Sequence, residues 1–420
     1  MTLVPLALRS LRNRWYSVLL TVVTIAISIA LLVLVDRVRN EVHESFYRTV
    51  SGVDLIVGAR TSPVQLLLYS VFGIGDATNN LSWETYQELE SARQVDWAVP
   101  FALGDSHRGY RVMGTTGEFF DRFRYSAGQP LVFADGRAFD DLFEVVVGHR
   151  VARNLGYETG DGIILAHGTG STRLQQQHED HPFTITGILE PTGTPVDQSL
   201  YISLQAHKAI HIGWETGTPR IGAQVEPDEA REMDLEPDSV TAIYVGLTSR
   251  AAAFQLQRAV NEYREEALTA ILPGVALQEL WRITGVAEQA LLIVSAIVVA
   301  AGLLGMLTVL LSTMNERRRE MAILRALGAR PGQIAGLLVI EAAVLTLAGI
   351  VAGLVLALVL QAAAAPVLLD RFGLIVGTSL PELYQFGILG LILAAGMIIA
   401  LVPAGMAYRR TVADGMQVRS

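Results

Sequence analysis

The sequence predicts a membrane α-helical fold: four transmembrane helices, with an α+β domain inserted between the first and second spans. Three observations carry this. Of the 420 residues, 51% are hydrophobic and 17% charged, against about 25% charged in an ordinary soluble domain. Four apolar runs are long enough to cross a hydrocarbon core of about 30 Å, which takes about 20 helical residues. Residues 37–285, between the first two runs, read instead as short strands and amphipathic helices bounded by Gly, Pro, Asp and Thr.

The first run, 18–35, has no charged residue. Arg9, Arg12 and Arg14 ahead of it would suit a secretory signal. The run is longer than a signal's apolar stretch, however, and no A-x-A cleavage site follows before Asp36. It therefore reads as a retained span, 17–36. The second span, 286–313, holds the uncharged run 291–311, and the fourth, 386–408, holds the uncharged run 386–407. The third, 334–362, contains one acid, Glu341. An acid at such a position is a functional candidate. Near the cytoplasmic end of its helix it reads as structural, within reach of the interface or of the arginines at 317–319.

Arginine placement sets the orientation, because short cytoplasmic segments collect Lys and Arg. Arg9, Arg12 and Arg14 precede the first span, and Arg409, Arg410 and Arg419 follow the fourth. Arg317, Arg318, Arg319, Arg325 and Arg330 separate the second and third, while the loop 363–385 holds only Arg371, beside Asp370 and Glu382. Both termini and the loop 314–333 are then cytoplasmic, and 37–285 is external. Gly302 and Gly305 on the second span, and Gly349 and Gly353 on the third, are candidate packing positions. Such residues let backbones approach, and they are also simply common in membrane helices.

Within 37–285, the segments 54–57, 97–103, 110–114, 144–148, 162–166, 183–189, 199–202 and 241–247 read as strands. Residues 250–270 show a helical spacing of apolar residues. The segments flanking the domain, 36–50 and from 276 onward, read as helices that continue the spans outward as stalks. The stretch 226–238, with seven acids in thirteen residues, reads as a solvated loop.

The net charge of −9 is unevenly placed. Residues 37–285 hold 20 Lys and Arg against 33 acids, while the remaining residues hold 12 Arg against 8 acids. That field excludes nucleic acid as a partner, since phosphate backbones demand a basic footprint. No cysteine is present, so thiol chemistry and zinc ribbons are excluded. HExxH and GxSxG motifs are missing, and no catalytic or cofactor-binding residue is assigned. The one lysine, Lys208, lies in Ala206-His207-Lys208-Ala209. A phosphate-binding Walker A loop requires Gly-Lys followed by Ser or Thr, so these residues contain none.

Histidine is the commonest metal ligand. His207 and His211 are four apart, on one helix face, and His167, His178 and His181 cluster in a polar stretch with Glu179 and Asp180. No full ligand set with fixed spacing is evident, so no metal site is assigned. His207, His211, His178 and His181 remain the candidate ligands, against a reading as surface histidines.

Between the second and third spans, residues 315–333 read NERRREMAILRALGARPGQ. Residues 316–326 are compatible with a helix, Gly328 suits its C-cap, and Arg330-Pro331-Gly332 opens the next helix. The result is a short amphipathic helix at the membrane surface, whose apolar residues can enter a groove on a cytoplasmic partner or lie unpartnered. This segment, ERRREMAILRALGA, resembles the hallmark of the MacB, FtsX and LolC/LolE permease family of ABC transporters. Leu6-Ala7-Leu8-Arg9-Ser10-Leu11-Arg12 resembles the family's amphipathic N-terminal helix, here 1–16. Gly148, Ala152, Leu155-Gly156 and Gly160-Asp161 resemble its "GxxxAxxLG…GD" pattern, and Phe183-Thr184-Ile185-Thr186-Gly187-Ile188-Leu189 its "FxVxGIL" strand.

The resemblance implies a permease that couples ATP hydrolysis elsewhere to a periplasmic conformational change, in tripartite export or in lipoprotein or lipid extraction. A regulator that gates a periplasmic enzyme, as FtsX does, is the alternative, and a metal-linked system using His207 and His211 is another. It implies two copies of a separate ABC ATPase holding ATP and Mg, since only a short segment precedes the first span. It also implies a second permease copy, an inner-membrane location, and a periplasmic adaptor, lipoprotein or outer-membrane partner. Glu316, Arg317, Arg318, Arg319, Glu320, Ile323, Leu324, Arg325, Leu327 and Gly328 would form the element contacting the ATPase.

Overall fold

The computed structural model describes residues 14–126, 128–168, 178, 180–213, 225–316, 321, 323, 325–326, 328–372 and 383–416. Along the chain the principal helices are α1 (Trp15–Val50), α2 (Pro63–Val71), α3 (Trp83–Glu90), α4 (His149–Leu155), α5 (Leu204–Ala209), α6 (Ala253–Asn261), α7 (Pro273–Glu316), α8 (Pro331–Phe372) and α9 (Leu383–Met416). The described residues divide into two compact units, one built from the apolar helices and one formed mainly by residues 42–284.

In the first unit, α1, α7, α8 and α9 are each long and apolar enough to cross a membrane. They contain the four expected spans. Helix α1 continues past residue 36 to Val50, and α7 begins at Pro273, ahead of residue 286. The bundle core is aliphatic, with Ile25, Ile29, Leu303, Met306, Leu345 and Ile392 among its buried residues. Gly349 and Gly353 lie against α1. A Cβ at Gly349 would stand 2.5 Å from Ile25 Cγ2, and one at Gly353 would stand 2.7 Å from Ile29 Cβ. Gly302 faces Ser28, whose Oγ would be 3.0 Å from an added Cβ, whereas Gly305 has nothing within 4 Å. Glu341 is fully buried in α8.

The second unit is built on an eleven-stranded mixed sheet. Its strands are β1 (Leu55–Ala59), β2 (Val95–His107), β3 (Tyr110–Thr115), β4 (Phe133–Gly136), β5 (Glu144–Val147), β6 (Gly162–Ile163), β7 (Ala166–His167), β8 (Phe183–Leu189), β9 (Ser199–Ser203), β10 (Ala242–Leu247) and β11 (Leu268–Ile271). The order is β11-β1-β10-β2-β3-β9-β5-β8-β4, with β7 paired to β2 and β6 to β8. Neighbours are antiparallel except β3 with β9 and β5 with β8. Seven of the eight strand segments read from the sequence are strands here; the eighth, 162–166, is corrected to two short strands, β6 and β7, interrupted at 164–165.

Strand β1 explains why such runs lack simple alternation. Each of its residues is buried. Leu55 and Val57 face a core shared with Tyr86, Leu89, Leu256 and Val260 of α3 and α6. Ile56 faces the opposite core, with Leu66, Leu67 and Tyr69 of α2 and Phe101 of β2. A strand covered on both faces reads as a continuous apolar run. The helical reading of 250–270 is corrected at its second half. Helix α6 ends at Asn261, and Leu268–Ile271 is an edge strand paired with β1 through Ile56↔Ile271 and Ala59↔Leu268. The acidic stretch 226–238 is also not all loop, because Pro227–Glu232 is a short helix with Ala230 buried.

Candidate metal centre

Strand β2 carries a carboxylate into the interior. Its pairing with β3 shifts register between Leu103 and Asp105, the mark of a β-bulge at Gly104. A bulge re-aims the side chains that follow it. Asp105, Ser106 and His107 are accordingly all buried, and the Asp105 side chain is 0% exposed. Strand β7 pairs antiparallel to this end of β2, with His167 directly opposite Asp105. Gly168 N–H donates to Gly104 O at 2.8 Å, and Ser106 Oγ donates to Gly168 O at 2.5 Å. The chain returns at His178, whose N–H donates to Leu165 O at 2.9 Å.

Helix α5 and the turn that follows it supply the other side. Ser203 caps it by accepting from Ala206 N–H, and His207 and His211 project one turn apart. The helix lies close over β3 because Gly114 has no side chain there. A Cβ on Gly114 would sit 2.9 Å from His207 Cβ.

Four imidazoles therefore surround one carboxylate. Asp105 Oδ1 is 3.4 Å from His167 Nδ1, 3.5 Å from His211 Nε2 and 3.8 Å from His178 Nε2. His207 Nε2 is 3.6 Å from the other oxygen, Oδ2. His167 Nδ1 and His211 Nε2 are 3.1 Å apart. The donor atoms of Asp105, His167, His178 and His211 all lie within 4.8 Å of one another. Both oxygens of Asp105 lack a hydrogen-bond partner among the described residues, since the imidazole distances exceed the usual 2.7–2.9 Å of a charge-assisted bond.

The electrostatics keep Asp105 ionised. Burial pushes its carboxyl up, but the facing imidazoles of His167, His178 and His211 together outweigh burial and hold it well below the usual range. For His211, burial pushes down and the Asp105 carboxylate outweighs it, leaving the ring raised. Burial, helped by the charge of His211, holds His207 down to about 4, so that ring is neutral at pH 7. His211 Nδ1 donates to His207 O at 2.6 Å. A carbonyl only accepts, so in the neutral ring the proton sits on Nδ1 and the Nε2 lone pair points at the cluster.

Two nearby histidines are committed elsewhere. His107 Nδ1 donates to Ile164 O at 2.7 Å, and its Nε2 lies 2.8 Å from the Tyr157 hydroxyl. His181, a candidate from the sequence, donates from Nε2 to Val225 O at 2.9 Å and packs beside Phe143. The structure thus takes His207 and His211 from one sequence cluster and His167 and His178 from the other, and sets His181 apart. Asp105 was not singled out in the sequence. Its one signal there is an acid, two residues before His107, directly after the apolar stretch 97–104.

The expected coupling segment is only partly described. Arg317, Arg318, Arg319, Glu320, Leu324 and Leu327 lie outside the described residues, as does the side chain of Glu316. Ile323 is exposed, and Gly328 has φ +90°, with its N–H donating to Arg325 O at 2.9 Å.

Comparison with known proteins places this architecture. Residues 18–263 match the family model of the MacB-like periplasmic core domain, and residues 292–412 match that of the FtsX-like permease C-terminal region. The chain belongs to the MacB-like, FtsX-type permease family. The macrolide export ATP-binding/permease protein MacB of Nitrosomonas europaea is 25% identical over 295 residues, covering 66% of this chain and 38% of that protein. The pyoverdine export ATP-binding/permease protein PvdT of Pseudomonas syringae pv. syringae is 25% identical over 303 residues, covering 72% of this chain and 42% of that protein. The chain thus spans about two fifths of the length of these relatives. The crystal structure of the periplasmic region of MacB from Actinobacillus actinomycetemcomitans aligns at 12% identity with a TM-score of 0.34, covering 56% of this chain and 97% of that one. Within the family assignment, the sheet unit that carries the histidine cluster lies in the periplasmic core domain.

Proposed function

We propose that the chain is the permease subunit of an ABC system in which a separate ATPase drives motion of the periplasmic core domain. The family match across both the core domain and the C-terminal spans is the observation that carries this reading. Helices α1 and α7, each contributing residues to both units, are the elements through which motion would pass. The sole lysine, Lys208, is engaged on the domain surface, 3.1 Å from Asp238 Oδ1. ATP and Mg would be held by two ATPase copies bound at the segment 316–328, with a second permease copy completing the assembly. Arginine placement supports a cytoplasmic side for that segment and both termini.

The relatives named for macrolide and pyoverdine export favour export of a small molecule taken up at the periplasmic side, with an adaptor and an outer-membrane partner. Lipoprotein extraction and gating of a periplasmic enzyme are the competing outcomes. The test is reconstitution with the cognate ATPase. Replacing Leu324 and Leu327 with Glu is expected to abolish stimulation of ATP hydrolysis by the permease, while membrane insertion is retained. Unchanged stimulation would remove the coupling role of this segment.

A further inference from the structure

We propose that Asp105, His167, His178 and His211 bind one divalent transition-metal ion, with zinc the best fit, in the periplasmic core domain. The proposal stands on the geometry of this cluster and does not rest on the transport reading.

Four of the six donor separations are close to those of ligands around an ion, and all six are within 4.8 Å. Zinc bonds to imidazole nitrogen and carboxylate oxygen are about 2.0–2.1 Å, so the edges of a zinc tetrahedron are about 3.3 Å. Three of the donor separations fall at 3.1, 3.4 and 3.5 Å. The fourth known separation, from His178 to the carboxylate, is 3.8 Å, a small inward movement from the same figure. The carboxylate–imidazole distances are longer than the usual 2.7–2.9 Å of a charge-assisted bond, and both Asp105 oxygens lack a well-aligned hydrogen-bond partner among the described residues. A buried carboxylate needs a cationic partner, either a protonated imidazole or a metal ion. An ion at the centre of the four donors supplies it and uses the lone pair of His211 that the Nδ1 bond to His207 O has already aimed.

The donor set selects the class of ion. Three imidazoles and one carboxylate suit zinc and its first-row neighbours, whereas calcium and magnesium take oxygen ligands almost alone. Four protein donors fill a tetrahedron, which marks a binding or structural centre and not a catalytic one with an open position. His207, facing Oδ2 at 3.6 Å, stands outside the set and backs the carboxylate. The His167 side chain is 36% exposed and that of His211 24%, so the ion can enter and leave. Bound there, it ties β2, His167 and His178, and the turn after α5 together, three parts distant in sequence. The acidic charge of residues 37–285 favours cation approach.

The test uses the full chain in detergent, freed of any affinity tag, stripped with a chelator and dialysed against zinc chloride. Metal content by mass spectrometry is expected to be one zinc per chain in the native protein and in His149→Ala, a control outside the cluster. It is expected to fall to less than about a tenth of that in Asp105→Asn and in the double variant His167→Gln/His211→Gln, a loss of affinity of about a hundredfold or more. The double variant alters two partly exposed side chains, so it stays informative if Asp105→Asn does not fold, with circular dichroism reporting the fold. Cobalt in place of zinc is expected to show the intense visible bands of a tetrahedral site. Native protein without bound zinc, or full occupancy retained in the folded double variant, would overturn the proposal. So would cobalt spectra of a purely octahedral, solvated ion.

Discussion

Gly114 gives the sharpest link between the fold and the metal centre. Replacing it with alanine places a Cβ 2.9 Å from His207 Cβ and 3.2 Å from His207 Cγ. Carbon atoms rest at about 3.5–4.0 Å, so α5 must retreat from β3 by roughly 0.6–1 Å. The other neighbour, Ala102 Cβ at 3.4 Å, sits on the paired strand and offers no room. Metal–ligand distances tolerate about 0.2 Å, so the retreat carries His211, one turn beyond His207, several times past that tolerance. Zinc affinity is expected to fall about ten- to a hundredfold, the loss typical of disturbed outer-shell support. Overpacking of this kind also destabilises by about 1–3 kcal/mol. Thermal unfolding of the chelated protein and zinc titration by calorimetry measure the two effects separately. Gly117→Ala, where an added Cβ meets nothing within 4 Å, is the control. A Gly114→Ala protein that melts lower yet binds zinc with native affinity would refute the reasoning, because the approach of α5 would then not set the ligand geometry.

Two further predictions test the scaffold. Gly353→Leu forces bulk between α8 and α1, where even a Cβ would stand 2.7 Å from Ile29 Cβ and 2.8 Å from Ala26 O. It should destabilise the helix bundle by about 1–3 kcal/mol, read as a lower melting temperature in detergent, and an unchanged midpoint would contradict the packing. In the sheet unit, the Glu266 carboxylate accepts from Ser82 N–H at 3.0 Å, Ser82 Oγ at 3.0 Å and Thr85 Oγ1 at 2.6 Å. Removing it with Glu266→Ala leaves Ser82 N–H and Thr85 Oγ1 without this acceptor at the start of α3 and should cost about 1–3 kcal/mol in chemical denaturation, with Glu266→Gln losing less; equal midpoints would refute it.

The parts of the fold that periodicity encodes were legible in the sequence. The spans announce themselves by length, and strands such as Phe183–Leu189 by an alternation that the burial pattern repeats. Strand order was not legible, because pairings such as β1 with β11 join residues 56 and 271 and no local signal marks them. The same pairing explains the misread end of 250–270. Leu268 fits a helical spacing, and only the open edge of β1 decides that it becomes a strand. In the site, the spacing of His207 and His211 placed them on one face, and the structure keeps them together. Proximity along the chain misled for the other group. His178 and His181 are three residues apart, yet one faces Asp105 and the other bonds Val225. Asp105 itself was hidden, since its direction depends on a bulge that strict alternation does not register.

That bulge is where the domain departs from its own rules. Between Trp97 and Leu103 β2 follows the ordinary pattern, with Ala98 and Ala102 in one core and Val99 and Phe101 in the other. After Gly104 the strand breaks register, buries a carboxylate completely and sets histidines around it. Packing alone gives no reason for this, because an apolar residue at 105 would leave no buried charge and no unpaired oxygen to satisfy. Departures from local consistency of this kind persist where a site uses them. Around Asp105 the departure is shared among elements that pairing brings together: β7 through His167, the strand-anchored turn through His178, and α5 through the space left by Gly114. An isolated buried acid would need only one charged neighbour. Three imidazoles on three separate elements, one with its tautomer fixed by a backbone carbonyl, converge with the carboxylate on a point between them, and a cation at that point is what gives the convergence a physical purpose.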